Sequence, residues 1–194
     1  MLAQNDLRHL HIVAQHLTHD AAQIRPMRRR SLANQRVFRK LYEVRAMLDG
    51  LAARLAAERG AERAKIEGPA YLDAGRAAVA SGSLNEQIEA DMNFHAFINA
   101  LSENSLIGET TAPHWPYLRR VMGEVLRDDA QMPQTILAEH VAILDAIIAG
   151  DGARAEMLSR DHISRAAKIF VQRLQVQQAA SEEEMRQRPT RRIK

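Results

Sequence analysis

Apolar residues in this chain recur every three or four positions through one long stretch after another, and that spacing limits the possible folds more than any other feature. From about Gln35 the stripe runs Val37, Leu41, Val44, Leu48, Leu51 and Leu55 until Gly60 supplies a stop. The same period returns in Leu118, Val121, Met122, Val125 and Leu126, in Ile136, His140, Ile143, Leu144 and Ile147, and in Ala155, Leu158, His162, Ala166 and Ile169. Residues at this spacing share one face of an α-helix, whereas a strand would need alternation. Alanine, leucine and arginine dominate and aromatics are only 4% of the 194 residues, so the composition favours helices and offers little for sheets. This length supports one core. An all-α, antiparallel bundle of six or seven helices with short connections is predicted.

Local signals divide the chain. Residues 1–34 are unlike the rest, with His9, His11, His16 and His19, then Ile24-Arg25-Pro26 and an arginine run; a weak helix followed by loop is expected, with the histidines exposed. Residues 35–178 form the helical domain, and the charged tail 179–194 is expected to fray. Gly68-Pro69 predicts a break or kink, because proline lacks a donor and disfavours helix in the residue before it. Ser83 and Glu86 have capping-box spacing and open a helix reaching about Leu101. Gln131-Met132-Pro133 separates two helices, Gly150 ends one, and Asp151 caps the last. Met47, Met92, Met122 and Met157 are expected to fill gaps in the core.

Several function classes recede on composition. With no cysteine there is neither a disulfide framework nor a thiolate metal site. No secretory leader and no run of about 18 apolar residues occurs, so a cytoplasmic chain without membrane attachment is expected. Net charge is +3, with arginines and lysines concentrated between Arg25 and Lys40 and between Arg186 and Lys194. Such clusters can touch nucleic acid, but without interleaved aromatics or a groove-reading element they read as solvated flanks.

The chemistry concentrates in four residues. Asp91 and His95 are four apart and project from one helical face. His140 and His162 each lie in line with core-facing aliphatics on later helices. A lone buried histidine is ordinarily a hydrogen-bonded core residue. Three beside a carboxylate would compete for few donors, whereas a divalent cation accepts just such a set of three nitrogens and one oxygen. Zinc, nickel, manganese or iron suit these ligands. Spacing alone leaves both readings open, because it does not show that the three helices meet.

The segment from Leu41 to Ala56, LYEVRAMLDGLAARLA, resembles the opening helix of the FadR C-terminal domain, FCD, of GntR-family transcriptional regulators. Asp91-Met92-Asn93-Phe94-His95 is similar to the family's Asp-x-x-x-His motif, and the stretches around His140 and from Asp151 to His162 resemble its two later histidine helices. The likeness covers roughly residues 35–178, with the elements in family order. It implies an effector-sensing helical domain, usually a homodimer, that binds a small carboxylate beside a divalent metal and is not itself an enzyme. By that resemblance Asp91, His95, His140 and His162 are the metal ligands and Arg45 is the ligand-binding arginine, able to pair a carboxylate through two donors. Another reading of Arg45 is a salt bridge with a nearby acid. Asn104 takes the family's asparagine turn, where it is expected to cap a helix, and Glu103 stands where glycine is common. His114 and Trp115 are also close to the pattern, though aromatic packing over a loop accounts for them. The stretch ahead of residue 35 is too short for the family's winged helix-turn-helix, so DNA contact is expected only through a reader domain missing or incomplete here. Two other readings are a metal-dependent hydrolase or oxygenase, for which no further general base is in place, and a purely structural helical dimer.

Overall fold

The computed structural model describes residues 32–126 and 131–187. Among these, seven helices follow in order: α1 (Leu32–Arg59), α2 (Ala61–Ser81), α3 (Leu84–Leu101), α4 (Ser105–Thr111), α5 (Trp115–Leu126), α6 (Met132–Ile148) and α7 (Gly152–Gln187), with a 3-10 turn (Ala112–His114) before α5. The fold is all-α, as the periodicity predicts. The four N-terminal histidines lie outside the described residues. No helix among those described is long and apolar enough to cross a membrane.

Helix α1 lies along α7, α2 packs on α3 and α6, and α3 also meets α1 and α5. Two apolar layers result. One joins Ala52, Ala53 and Ala56 of α1 to Phe94, Phe97 and Leu101 of α3 and Leu144 of α6. The other joins Phe38 and Tyr42 of α1 to Val121 and Val125 of α5 and Phe170 of α7. Phe38 anchors the second layer, its ring centroid 4.4 Å from Tyr42 and 4.3 Å from Phe170. Buried polar side chains accompany these apolar ones on α1 (Arg45, Asp49), α3 (Asp91, His95), α6 (His140) and α7 (Ser159, His162).

The core face of α1 is turned relative to the aliphatic stripe. Leu41, Leu48 and Leu51 are only partly buried and Val44 is 46% exposed, while Phe38, Tyr42, Arg45, Asp49, Ala52, Ala53 and Ala56 face inward. Alanines let α1 approach its neighbours closely, so the small residues mark the contact better than the large ones do. Met47 and Met157 are each 53% exposed rather than gap-filling, whereas Met122 is buried as expected.

Proline does not end α2, which continues through Pro69 to Ser81. Gly68 accounts for this. Lacking a Cβ, it escapes the clash that a proline imposes on the residue before it. A Cβ there would lie 2.7 Å from Leu144 Cδ1, so close packing on α6 holds the turn against the loss of one hydrogen bond. Likewise α7 continues past Gln178 to Gln187.

The expected caps form in part. Ser83 Oγ accepts from the Glu86 amide at 3.4 Å, but the Ser83 amide donates to Ser81 Oγ, so Glu86 does not complete the reciprocal half of the box. Asp151 Oδ1 accepts from the Arg154 amide at 3.0 Å and caps α7. Asn104 occupies the N-cap position of α4 without a side-chain cap bond; the turn is held instead by Ser102 Oγ, which accepts from the Asn104 amide at 3.2 Å.

Glu103 has φ 54°, in the left-handed region that costs a side-chain-bearing residue about 1 kcal/mol. It is exposed. Glu103→Gly is therefore expected to raise stability by up to about 1 kcal/mol, measured as the urea midpoint at unchanged m-value; a lower midpoint would refute this reading of the turn.

Candidate metal centre

The four residues singled out from the sequence do meet. Asp91 and His95 of α3, His140 of α6 and His162 of α7 are all buried, and each offers a ligand atom such that all four atoms lie within 4.8 Å of one another. The ring centroids of His95, His140 and His162 are separated by 5.4, 5.3 and 4.9 Å. Phe94 stacks on His140 at 4.1 Å and fixes the plane of that ring.

Their hydrogen bonding is incomplete. His95 Nε2 is 3.7 Å from Asp91 Oδ2, and His140 Nε2 is 3.3 Å from Asp91 Oδ1. Neither nitrogen has a hydrogen-bond partner of proper direction, although both are fully buried. A buried polar atom without a partner ordinarily costs about 1–3 kcal/mol. Two of them aimed at one carboxylate make a set of lone pairs that a cation satisfies and a hydrogen-bonded core would not leave.

Two further carboxylates stand behind the imidazoles, and neither was apparent from the sequence. Glu139 Oε2 is 2.5 Å from His162 Nδ1, and its other oxygen meets the Arg165 guanidinium. Asp49 Oδ2 is 3.5 Å from His95 Nδ1. A carboxylate on one ring nitrogen holds the proton there and frees the other nitrogen's lone pair, the arrangement by which metal-binding histidines are oriented.

Arg45 is buried, 5% exposed, with Nε 3.2 Å from Asp49 Oδ2. It pairs with an acid one turn away, as one reading of the sequence had it, and it also lines a cavity shared with Asp91 and His162. His114 is buried on the 3-10 turn but stands outside the four-residue cluster. Trp115 packs against the second apolar layer.

Burial governs the titration. It pushes the three imidazoles below their ordinary value, His95 furthest, although Asp91 works the other way. For Asp91 burial acts upward, but the facing imidazoles outweigh it and hold the carboxyl well below the usual range. Burial raises Asp49, against the opposing pull of Arg45.

These directions set a pH dependence. An imidazole with a lowered folded pKa gives stability that is complete above its unfolded value, about 6.5, and is lost as pH falls toward the folded one, because the unfolded chain binds more protons there. Asp49 acts in the opposite sense, but it is one group against three. In the presence of chelator the urea midpoint is therefore expected to be level from pH 8 to 7 and to fall steadily from pH 6.5 to 5. A flat profile across that interval would show the imidazoles to be solvated.

Residues 40–165, more than half of the chain, match the family model described as FCD domain. No curated protein matches the chain.

Proposed function

Since the chain belongs to the FCD family, the FadR C-terminal domain of GntR-type regulators, we propose that it is an effector-sensing domain which holds a divalent metal and a small organic acid. The observation that carries this is the buried set of Asp91, His95, His140 and His162, two of whose ring nitrogens have no other partner.

These four side chains would hold zinc, nickel, manganese or iron, and the bound cation would supply open positions and positive charge for an anionic group. The chain's own residues do the rest. Glu139 keeps the ring proton on the outer nitrogen of His162, and Asp49 faces the outer nitrogen of His95 at 3.5 Å. Phe94 and the alanine-lined contact of α1 with α3 exclude water. Arg45, at the edge of the cavity, offers a guanidinium to a carboxylate.

Charge supports an acidic effector. Arg45 cancels either Asp49 or Asp91, and with neutral imidazoles the buried set keeps one net negative charge. A divalent cation turns that to one positive charge, which a single carboxylate neutralises. Binding to one of two arrangements of the four helices would then bias them, and through them an attached DNA reader, by the difference in affinity. The same reading takes the working unit as a cytoplasmic homodimer.

The test is metal analysis of untagged protein together with thermal shift. About one metal per chain is expected, with a melting temperature that falls on chelation and returns when metal is added back. Protein free of metal, whose melting temperature no divalent ion changes, would overturn the proposal.

A further inference from the structure

Cavities meet the four-residue cluster from two sides. Between α2, α3 and α6 lies one of about 30 Å³, room for about two waters. Its inner end is Asp91 and His140, both buried, and its outer end is Tyr71, Gly75, Gln87 and Leu137, all half-buried. Towards α1, α5 and α7 stand two smaller cavities, of about 20 and 10 Å³, which share His162 in their linings.

The two sides differ in charge and in closure. A guanidinium lines each of the smaller cavities, Arg45 in one and Arg165 in the other. Arg165 is also tied through Glu139 to His162 Nδ1, so passage there would break the contact that orients this ring. Among the described residues the larger cavity has neither lysine nor arginine in its lining, and Asp91 gives it a negative charge. Arg76, next to Gly75, is itself paired with Asp73 at 2.7 Å. Gln87 closes the outer end only weakly. Its amide nitrogen donates to the Ala78 carbonyl at 3.5 Å, the limit for such a bond, and its amide oxygen remains to take a cation. Gly75 keeps the same end wide, since a Cβ there would lie 3.0 Å from Leu137 Cδ1 on α6.

We propose that the divalent cation enters and leaves through the cavity between α2, α3 and α6, past Gly75 and Gln87, and meets Asp91 and His140 first. This rests on the metal reading above and adds a route to it. The carboxylate at the inner end draws a cation inward, whereas on the other side a guanidinium would repel it. Metal exchange is thereby kept apart from the side of the cluster that carries the arginines.

The experiment follows zinc uptake by the metal-free full chain, and zinc release to excess chelator, with a chromophoric chelator as reporter. Gly75→Ala and Gly75→Leu should slow uptake and release together, Leu by about tenfold, the cost of overfilling a gap acting as a barrier. Equilibrium affinity should stay unchanged, because an obstacle on a route hinders both directions alike. Gln87→Lys should slow uptake about tenfold at low ionic strength and less in salt, and Gln87→Glu should speed it. Ile169→Lys puts the same charge beside the cavity that Arg165 lines and should leave uptake at the wild-type rate. Wild-type exchange in Gly75→Leu, or an Ile169→Lys variant slowed as much as Gln87→Lys, overturns the route. Should Gly75→Leu fail to fold, the two lysine variants decide between the sides alone. A wild-type chain that takes up no divalent ion at equilibrium sinks the metal reading instead, and that measurement, made before any rate, tells the two failures apart.

Discussion

His140→Ala is expected to abolish metal retention, lowering metal affinity by more than about 100-fold, since loss of a group that merely supports a ligand already costs about 10–100-fold. In the proposed centre His140 would be the one ligand from α6, and with its Nε2 removed Asp91 and His95 on α3 would be left with only His162 across the bundle. The stabilisation supplied by bound metal should vanish with it. At a free metal concentration a thousandfold above the dissociation constant that contribution is about 4 kcal/mol, which would appear as a lower melting temperature in metal-replete buffer. In chelator the same substitution should cost far less. It removes an imidazole stacked on Phe94, but it also removes a buried nitrogen whose only contact, with Asp91, is poorly aligned. The wild type and the variant should therefore differ strongly with metal and weakly without it. Full metal stoichiometry in purified His140→Ala, or an equal loss of stability in both buffers, would show that the histidines are packing residues.

The difference between what was legible in the sequence and what was not has a physical basis. His140 and His162 were legible because each falls in register with an aliphatic stripe that helical period turns inward, and Asp91 and His95 because their four-residue spacing puts them on one helical face. Their convergence follows from α3, α6 and α7 packing together, which no local pattern encodes. Asp49 escaped notice because it sits one turn after Arg45, at the spacing that ordinarily marks an exposed ion pair. The clue was that Tyr42, Arg45, Asp49, Ala52 and Ala56 share one face, and alanines on that face signal close approach. Reading the larger Val44 and Met47 as core turned the helix the wrong way. Glu139 was harder still. It precedes His140 by one residue, off that histidine's face, and reaches His162 only because α7 passes beside it. Gly68-Pro69 misled for a related reason: the local rule for proline was overruled by the contact of Gly68 with Leu144 on another helix.

Arg45→Ala should be among the most destabilising single changes in the protein, at about 3–5 kcal/mol. Arg45 and Asp49 are both 5% exposed, so removing the cation leaves a carboxylate in the core with a poorly aligned bond to its surroundings. The penalty belongs mainly to that stranded charge and not to the pair's own attraction, because the desolvation of both ions offsets much of what they gain from each other. This distinction is testable. Replacing both partners by apolar groups of similar size, as Arg45→Met with Asp49→Leu, should recover most of the lost stability in chelator-treated protein. The same double variant should still bind metal about 10–100-fold more weakly than wild type, because His95 loses the carboxylate that faces its Nδ1. Stability restored while metal affinity stays low would separate the two tasks of Asp49, neutralising Arg45 and orienting His95. Should Arg45→Ala instead cost less than about 1 kcal/mol, the range of an exposed ion pair, then water reaches Asp49, and the low-polarity setting on which the whole cluster depends is absent.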